Sequence, residues 1–205
     1  MRHRIFIAIN LPEEIKRELS NYQSKWPELP ARWTKTENLH ITLVFLGYLS
    51  DEELLEVLKI VKEVVLKYKS FSINLNKIFY GPPKKMPPRM IWATGEKSAE
   101  LGKLQKDLEN SLLSPVVFFP AKASAEAGEK EDKNENRHYA PHITVGRIRQ
   151  WEFRAIEPEE RPIVDENISL SFEVNSIEVM ESQSKKGGAK YTILESAPLA
   201  DSKNF

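Results

Sequence analysis

The chain carries one tetrapeptide pattern twice, as His40-Ile41-Thr42-Leu43 and as His142-Ile143-Thr144-Val145. Each copy sits in a run rich in β-branched and apolar residues, Leu39 to Leu46 and Tyr139 to Ile148, and both runs read as β-strands. On a strand, residues i and i+2 share a face. Each copy therefore presents an imidazole and a hydroxyl together, about 6.6 Å apart along the strand. Ile41, Leu43, Ile143 and Val145 turn to the other face and anchor the strands in a core. The copies lie 102 residues apart in a chain of 205, a spacing that predicts one motif in each lobe of a duplicated fold. Coincidence is a poor explanation. Threonine occupies six of the 205 positions, so finding the pattern at two of the four histidines has a chance below about 1%.

The rest of the chain interleaves strands and helices. Residues 4–9 read as a strand, and Pro12, Glu13 and Glu14 suit the first turn of a helix over 12–26 whose apolar positions are Ile15, Leu19, Tyr22 and Trp26. The strand Leu39–Leu46 is expected to stop at Gly47. Ser50-Asp51-Glu52-Glu53 has the form of a capping box and opens a helix bearing Leu54, Leu58, Val61 and Val65 on one face. Phe71, Ile73 and Leu75 alternate as a strand, Met90–Thr94 forms another, and Leu101, Leu104, Leu108 and Leu112 mark a helix over about 98–113. Further strands follow at 139–148, 169–180 and 191–194. Several strands succeed one another with no helix between them, which favours an α+β fold with two antiparallel sheets and outer helices over a doubly wound parallel sheet. Residues 121–136 contain no Ile, Leu, Val or aromatic residue and are expected to be a mobile charged insertion. The expected organisation is a single bilobal domain over 1–198 with a tail at 199–205.

Composition narrows the function. Lys and Arg number 30, Asp and Glu number 30, and the formal net charge is zero, which excludes a globally basic nucleic-acid coat protein and leaves polyanion binding to local patches. There is no cysteine, so disulfides, thiolate zinc sites and a cysteine nucleophile are ruled out. No run resembles a signal sequence or a membrane span, so the protein is expected to be cytoplasmic and to act without a membrane.

Two imidazoles and two hydroxyls suit phosphodiester hydrolysis. One histidine, with an ordinary pKa near 6.5, serves as base and the other as acid, while threonine hydroxyls donate to non-bridging phosphate oxygens. A metal centre would need three or more convergent ligands, and each motif offers only its histidine, so no cofactor is expected. A binding module that holds a nucleotide or RNA end without turnover is the competing class; it has no need of two titratable groups. An exonuclease acting on RNA 3′ ends is a third reading.

Beyond the residues themselves, the chain resembles a family. Arg4-Ile5-Phe6-Ile7-Ala8-Ile9 with Leu11-Pro12, the stretch Asn38 to Gly47, Pro141-His142-Ile143-Thr144-Val145-Gly146-Arg147, and Glu181-Ser182 with Tyr191-Thr192-Ile193-Leu194 are similar to the two-histidine phosphoesterases, in particular the RNA 2′,3′-cyclic phosphodiesterases, also called 2′-5′ RNA ligases. The resemblance implies a bilobal α+β fold with pseudo-twofold symmetry and motifs facing across a cleft. It implies metal-free hydrolysis of RNA 2′,3′-cyclic phosphate ends, or of nucleoside 2′,3′-cyclic phosphates, to 2′-phosphomonoesters, with 2′-5′ ligation of tRNA halves as a side or reverse activity. It also implies His40 as proton donor, His142 as proton acceptor, and Thr42 and Thr144 as their partners. The family usually reaches the second motif by a short loop; here the stretch 121–136 intervenes.

Supporting residues follow from charge and position. Arg147 can offer a guanidinium to phosphate, but strict alternation puts it on the face opposite His142, and it reaches the cleft only through a bulge at Gly146. The loop Ser184-Lys185-Lys186-Gly187-Gly188-Ala189-Lys190-Tyr191 can follow a phosphate backbone, with Lys190 and Tyr191 as substrate-binding residues and Tyr191 available to stack a base. The loop Pro82 to Arg89 is a second basic segment. Trp33 and Phe45 could flank a base but are read as core aromatics, Phe45 because alternation puts it on the face opposite His40; His138 is expected at the surface or rim and His3 at the exposed terminus. The protein is expected to be monomeric.

Overall fold

The computed structural model describes residues 2–83, 85–113, 139–185 and 188–200. Among the described residues, nine strands and four α-helices follow one another as β1 (His3–Asn10), α1 (Glu13–Gln23), β2 (Ala31–Trp33), β3 (His40–Leu49), α2 (Asp51–Val65), β4 (Phe71–Gly81), β5 (Met90–Gly95), α3 (Ala99–Leu112), β6 (Ile143–Ile148), α4 (Gln150–Ala155), β7 (Asp165–Val174), β8 (Ser176–Lys185) and β9 (Gly188–Pro198). The expected insertion 121–136 and His138 lie outside the described residues.

All pairings between the named strands are antiparallel, as the α+β reading anticipates. The two expected sheets are joined edge to edge in one path, β7-β4-β5-β6-β3-β1-β8-β9, with β2 added on β6. The join is narrow: β3 and β6 share the single register pair Ile41–Ile143. The motif strands are thus the innermost members of the two halves, and the expected cleft corresponds to the face of the sheet on which their histidines lie.

One apolar core covers the face of the sheet opposite the cleft. Ile5, Ile7 and Ile9 of β1, Ile41 of β3, Ile91 and Ala93 of β5 and Ile143 of β6 meet Leu19 of α1, Val57, Val61, Val64 and Val65 of α2 and Leu101, Leu104, Leu108 and Leu112 of α3. The start of α2 is the predicted capping box: Glu53 N–H donates to Ser50 Oγ at 3.2 Å and Ser50 N–H to Glu53 Oε2 at 2.6 Å.

Several expectations are corrected. Gly47 does not end β3; it adopts φ +75°, and the strand continues to Leu49 across a register shift. Strand β6 starts at Ile143 rather than Tyr139, because Pro141 has no N–H for a ladder. The run 169–180 is two strands that part at Asn175. The 199–205 tail is not wholly outside the domain: Leu199 is buried and Ala200 N–H donates to Tyr68 O at 2.8 Å. Among the described residues, no helix is long and apolar enough to cross a membrane.

Candidate active site

Directly opposed residues in an antiparallel pair share a face, and their neighbours follow in reverse order. With Ile41 opposite Ile143, His40 falls across from Thr144 and Thr42 across from His142. Ile41 and Ile143 point into the core. The four motif side chains therefore ring the junction on the cleft face, with the histidines on one diagonal and the threonines on the other.

The two imidazoles are held alike. His40 Nδ1 lies 2.7 Å from the carbonyl of Asn38, and His142 Nδ1 lies 2.8 Å from the carbonyl of Ala140. A carbonyl only accepts, so each Nδ1 carries a proton and donates it, and the lone pair of the neutral ring falls on Nε2. In His40 that nitrogen is 2.9 Å from Thr42 Oγ1.

The surroundings of the rings differ. His40 is packed among aromatic residues, with Phe6 at 5.1 Å and Tyr191 at 5.2 Å between centroids, the latter edge-on at 89°. Burial pushes the His40 pKa below its ordinary value, opposed by the bond to Asn38 O and reinforced by positive charge on His142 and on Lys16. Lys16 is itself only 4% exposed and donates to Glu13 at 2.9 Å. His142 instead stacks on the face of Trp92, with centroids 3.9 Å apart and planes at 20°. Gly81 makes room for that indole, since a Cβ there would stand 2.2 Å from Trp92 Cδ2.

Bulges decide what else reaches the cleft. In β3, Ile7 pairs with Val44 but Ala8 with Thr42, so Leu43 is an extra residue. In β6, Ile91 pairs with Gly146 but Trp92 with Thr144, so Val145 is extra. Each bulge restores to the motif's face the residue five beyond its histidine. For the second motif that residue is Arg147, exposed, opposite Met90 and with Nη1 3.8 Å from Met90 Sδ. For the first motif it is Phe45, which is 66% exposed with its ring 6.1 Å from that of Phe6. The core assignment of Phe45 is overturned: alternation was counted across a bulge that leaves no mark in the sequence. Trp33 packs against the core and stacks on Trp26 at 6.4 Å.

The β8–β9 hairpin reaches the same cleft. Tyr191 packs on Phe6, Ala8 and Met180, and Asn38 Nδ2 donates to Ala189 O at 2.8 Å, tying the hairpin to the segment that leads into the first motif. Lys190 is exposed and, one residue from Tyr191 on a regular stretch of the ladder, points to the other side of the hairpin. Glu178, opposite Ala8, is buried on the cleft side and accepts from Ser176 Oγ at 2.6 Å and Ser196 Oγ at 3.1 Å. His3 is bound rather than free at the surface: Nδ1 is 2.7 Å from Glu181 and Nε2 is 2.9 Å from Asp51.

The residues that sequence reasoning missed are Trp92, Phe6 and Lys16. The first two alternate on their strands with buried Ile91, Ala93, Ile5 and Ile7, and that alternation was the available signal. Lys16 carries no such signal, because it falls on the apolar stripe of its helix beside Ile15 and Leu19.

Residues 9–92 match the model of the family described as LigT like Phosphoesterase. A protein of Thermotoga maritima named RNA 2′,3′-cyclic phosphodiesterase is 30% identical over 168 residues, covering 79% of this chain and 80% of that one. A protein of the same name from Methanocaldococcus jannaschii is 28% identical over 149 residues, covering 71% and 72%. Among solved structures, TT0787 of Thermus thermophilus superposes with a TM-score of 0.76 at 26% identity, covering 97% of this chain and 99% of that one. Escherichia coli LigT complexed with 3′-AMP shares the fold, with a TM-score of 0.68 at 23% identity over 97% and 99% of the two chains.

Proposed function

This chain belongs to the LigT-like family of two-histidine phosphoesterases, and on that footing we propose that it opens 2′,3′-cyclic phosphates at RNA ends to 2′-phosphomonoesters without a metal. The relatives named RNA 2′,3′-cyclic phosphodiesterase support the substrate class. The observation that carries the chemistry is the pair of imidazoles whose Nδ1 atoms are both tied to carbonyls two residues back, each leaving Nε2 for proton transfer.

In the proposed reaction the cyclic phosphate lies over the Ile41–Ile143 junction. Thr42 and Thr144 donate to its non-bridging oxygens, where charge grows in the transition state. His142 Nε2 takes a proton from water as its oxygen bonds to phosphorus. The bond from phosphorus to O3′ breaks, and His40 Nε2–H gives its proton to O3′. Burial lowers the His40 pKa, and the anionic substrate beside the ring favours its charged, donating form. Trp92 fixes the plane of His142. Phe45 and Tyr191 offer rings to a base, and Arg147 offers a guanidinium. With an RNA 5′-hydroxyl leaving or attacking in place of water, the same groups would exchange a 2′-5′ bond, so ligation of tRNA halves belongs to the same proposal, as does a cytoplasmic setting.

The roles are tested by the leaving group. A p-nitrophenyl ester needs no general acid. His40→Ala is expected to lose most activity on an RNA cyclic phosphate yet retain it on a nucleoside p-nitrophenyl phosphate, whereas His142→Ala loses both. The opposite pattern would exchange the two roles. Near-normal turnover of the cyclic phosphate by either variant would remove that histidine from the reaction, and binding of the cyclic phosphate by the wild type without turnover would favour a binding module.

A further inference from the structure

Strand β2 places a second arginine beside Arg147. In the β2–β6 pair Arg32 stands directly opposite Arg147, so both side chains lie on the cleft face. Arg32 is exposed and forms no ion pair with a carboxylate among the described residues. Its guanidinium reaches the opposite half of the sheet: a Cβ on Gly188 would stand 2.3 Å from Arg32 Nη2, and Gly188 itself has φ +113°. Gly188, the first residue of β9, thus leaves space for this group, and Asn38 Nδ2 donates to Ala189 O at 2.8 Å next to it. A forked donor thus stands about 10 Å along the strand from Thr144.

We propose that Arg32, beside Arg147, binds a second, non-reacting phosphate, the one on the 5′ side of the nucleoside that carries the cyclic phosphate. The inference rests on the function proposed above and adds a substrate determinant to it. A guanidinium matches the paired oxygens of a phosphate. The site distinguishes an RNA end, which always has this phosphate, from a bare nucleoside cyclic phosphate, which lacks it.

Three substrates test it: a nucleoside 2′,3′-cyclic phosphate, the same compound bearing a 5′-phosphate, and a dinucleotide ending in the cyclic phosphate. Wild-type protein is expected to favour the second and third over the first by about tenfold or more in kcat/KM. In Arg32→Gln that advantage collapses through KM, and Arg32→Lys restores part of it. Binding without turnover gives a second readout, in which wild type holds a nucleoside 2′,5′-bisphosphate at least about tenfold more tightly than the 2′-monophosphate and Arg32→Gln does not. Equal loss on all three substrates, an advantage confined to the dinucleotide, or bisphosphate binding indifferent to Arg32 would each overturn the proposal. Failure of wild type to turn over any of the three would instead contradict the proposed function, and the binding measurement would still decide the fate of the Arg32 site.

Discussion

His40 and His142 have the same backbone anchor but opposite surroundings, and this asymmetry makes the pair usable as acid and base. Tyr191 and Phe6 cover His40 and burial lowers its pKa from 6.5, so the limb of kcat/KM that His40 sets, which reports the free protein, is expected below pH 6.5. Tyr191→Ala admits water to the ring and should move that limb to higher pH; a limb that stays put would remove burial as the cause. Gly81→Ala brings a methyl group onto Trp92 and displaces the indole that supports His142. It is expected to lower kcat by about tenfold to hundredfold, because misplacement of about 1 Å has such effects, while KM changes little. Thr42→Val and Thr144→Val each remove one hydroxyl that the proposed reaction aims at the phosphate and should cost about 10–10³ in kcat.

At the level of elements, α2 shows why so much of the fold is legible in the chain. Its start is specified by neighbours in sequence, Ser50 and Glu53, and Ser50→Ala is expected to destabilise the protein by about 1 kcal/mol in urea unfolding with no change in KM. Strand β1, the motif strand β3 and helix α3 are legible for a similar reason, since a run of β-branched and apolar residues or a helical stripe marks each of them. Strand β2 is only three residues long and owes its existence to β6, far along the chain, so no local pattern announces it. Arg32 is hidden with it. The motif histidines and threonines stand out because each copy lies ahead of its bulge. Phe45 and Arg147 lie beyond, where the facing of a side chain depends on how Leu43 and Val145 meet the partner strand. Gly146 hinted at the second bulge, and nothing comparable marks the first.

At the scale of the whole molecule, the fold is two half-sheets meeting at one residue pair, and its stability depends on ties made away from the cleft. His3 links β1 to Glu181 on β8 and to Asp51 at the start of α2, and both carboxylates raise its pKa. A raised pKa adds stability that is complete below the unfolded value of 6.5 and disappears as pH climbs through the folded value. His3→Gln should therefore lower the urea midpoint near pH 6 and leave it unchanged at pH 9. A deficit equal at both pH values would mean that packing rather than charge is at work. The claim on which the functional reading stands is that the junction itself, with one histidine from each half, performs the reaction. The direct measurement is turnover of an oligonucleotide ending in a 2′,3′-cyclic phosphate, in EDTA, by wild type and His142→Ala, with the product identified. Wild type should release a 2′-phosphomonoester, and the variant should be slower by about 10²–10⁴ in kcat with substrate binding retained. A His142→Ala protein with near-normal kcat, or a wild type silenced by EDTA and restored by a divalent ion, would contradict it.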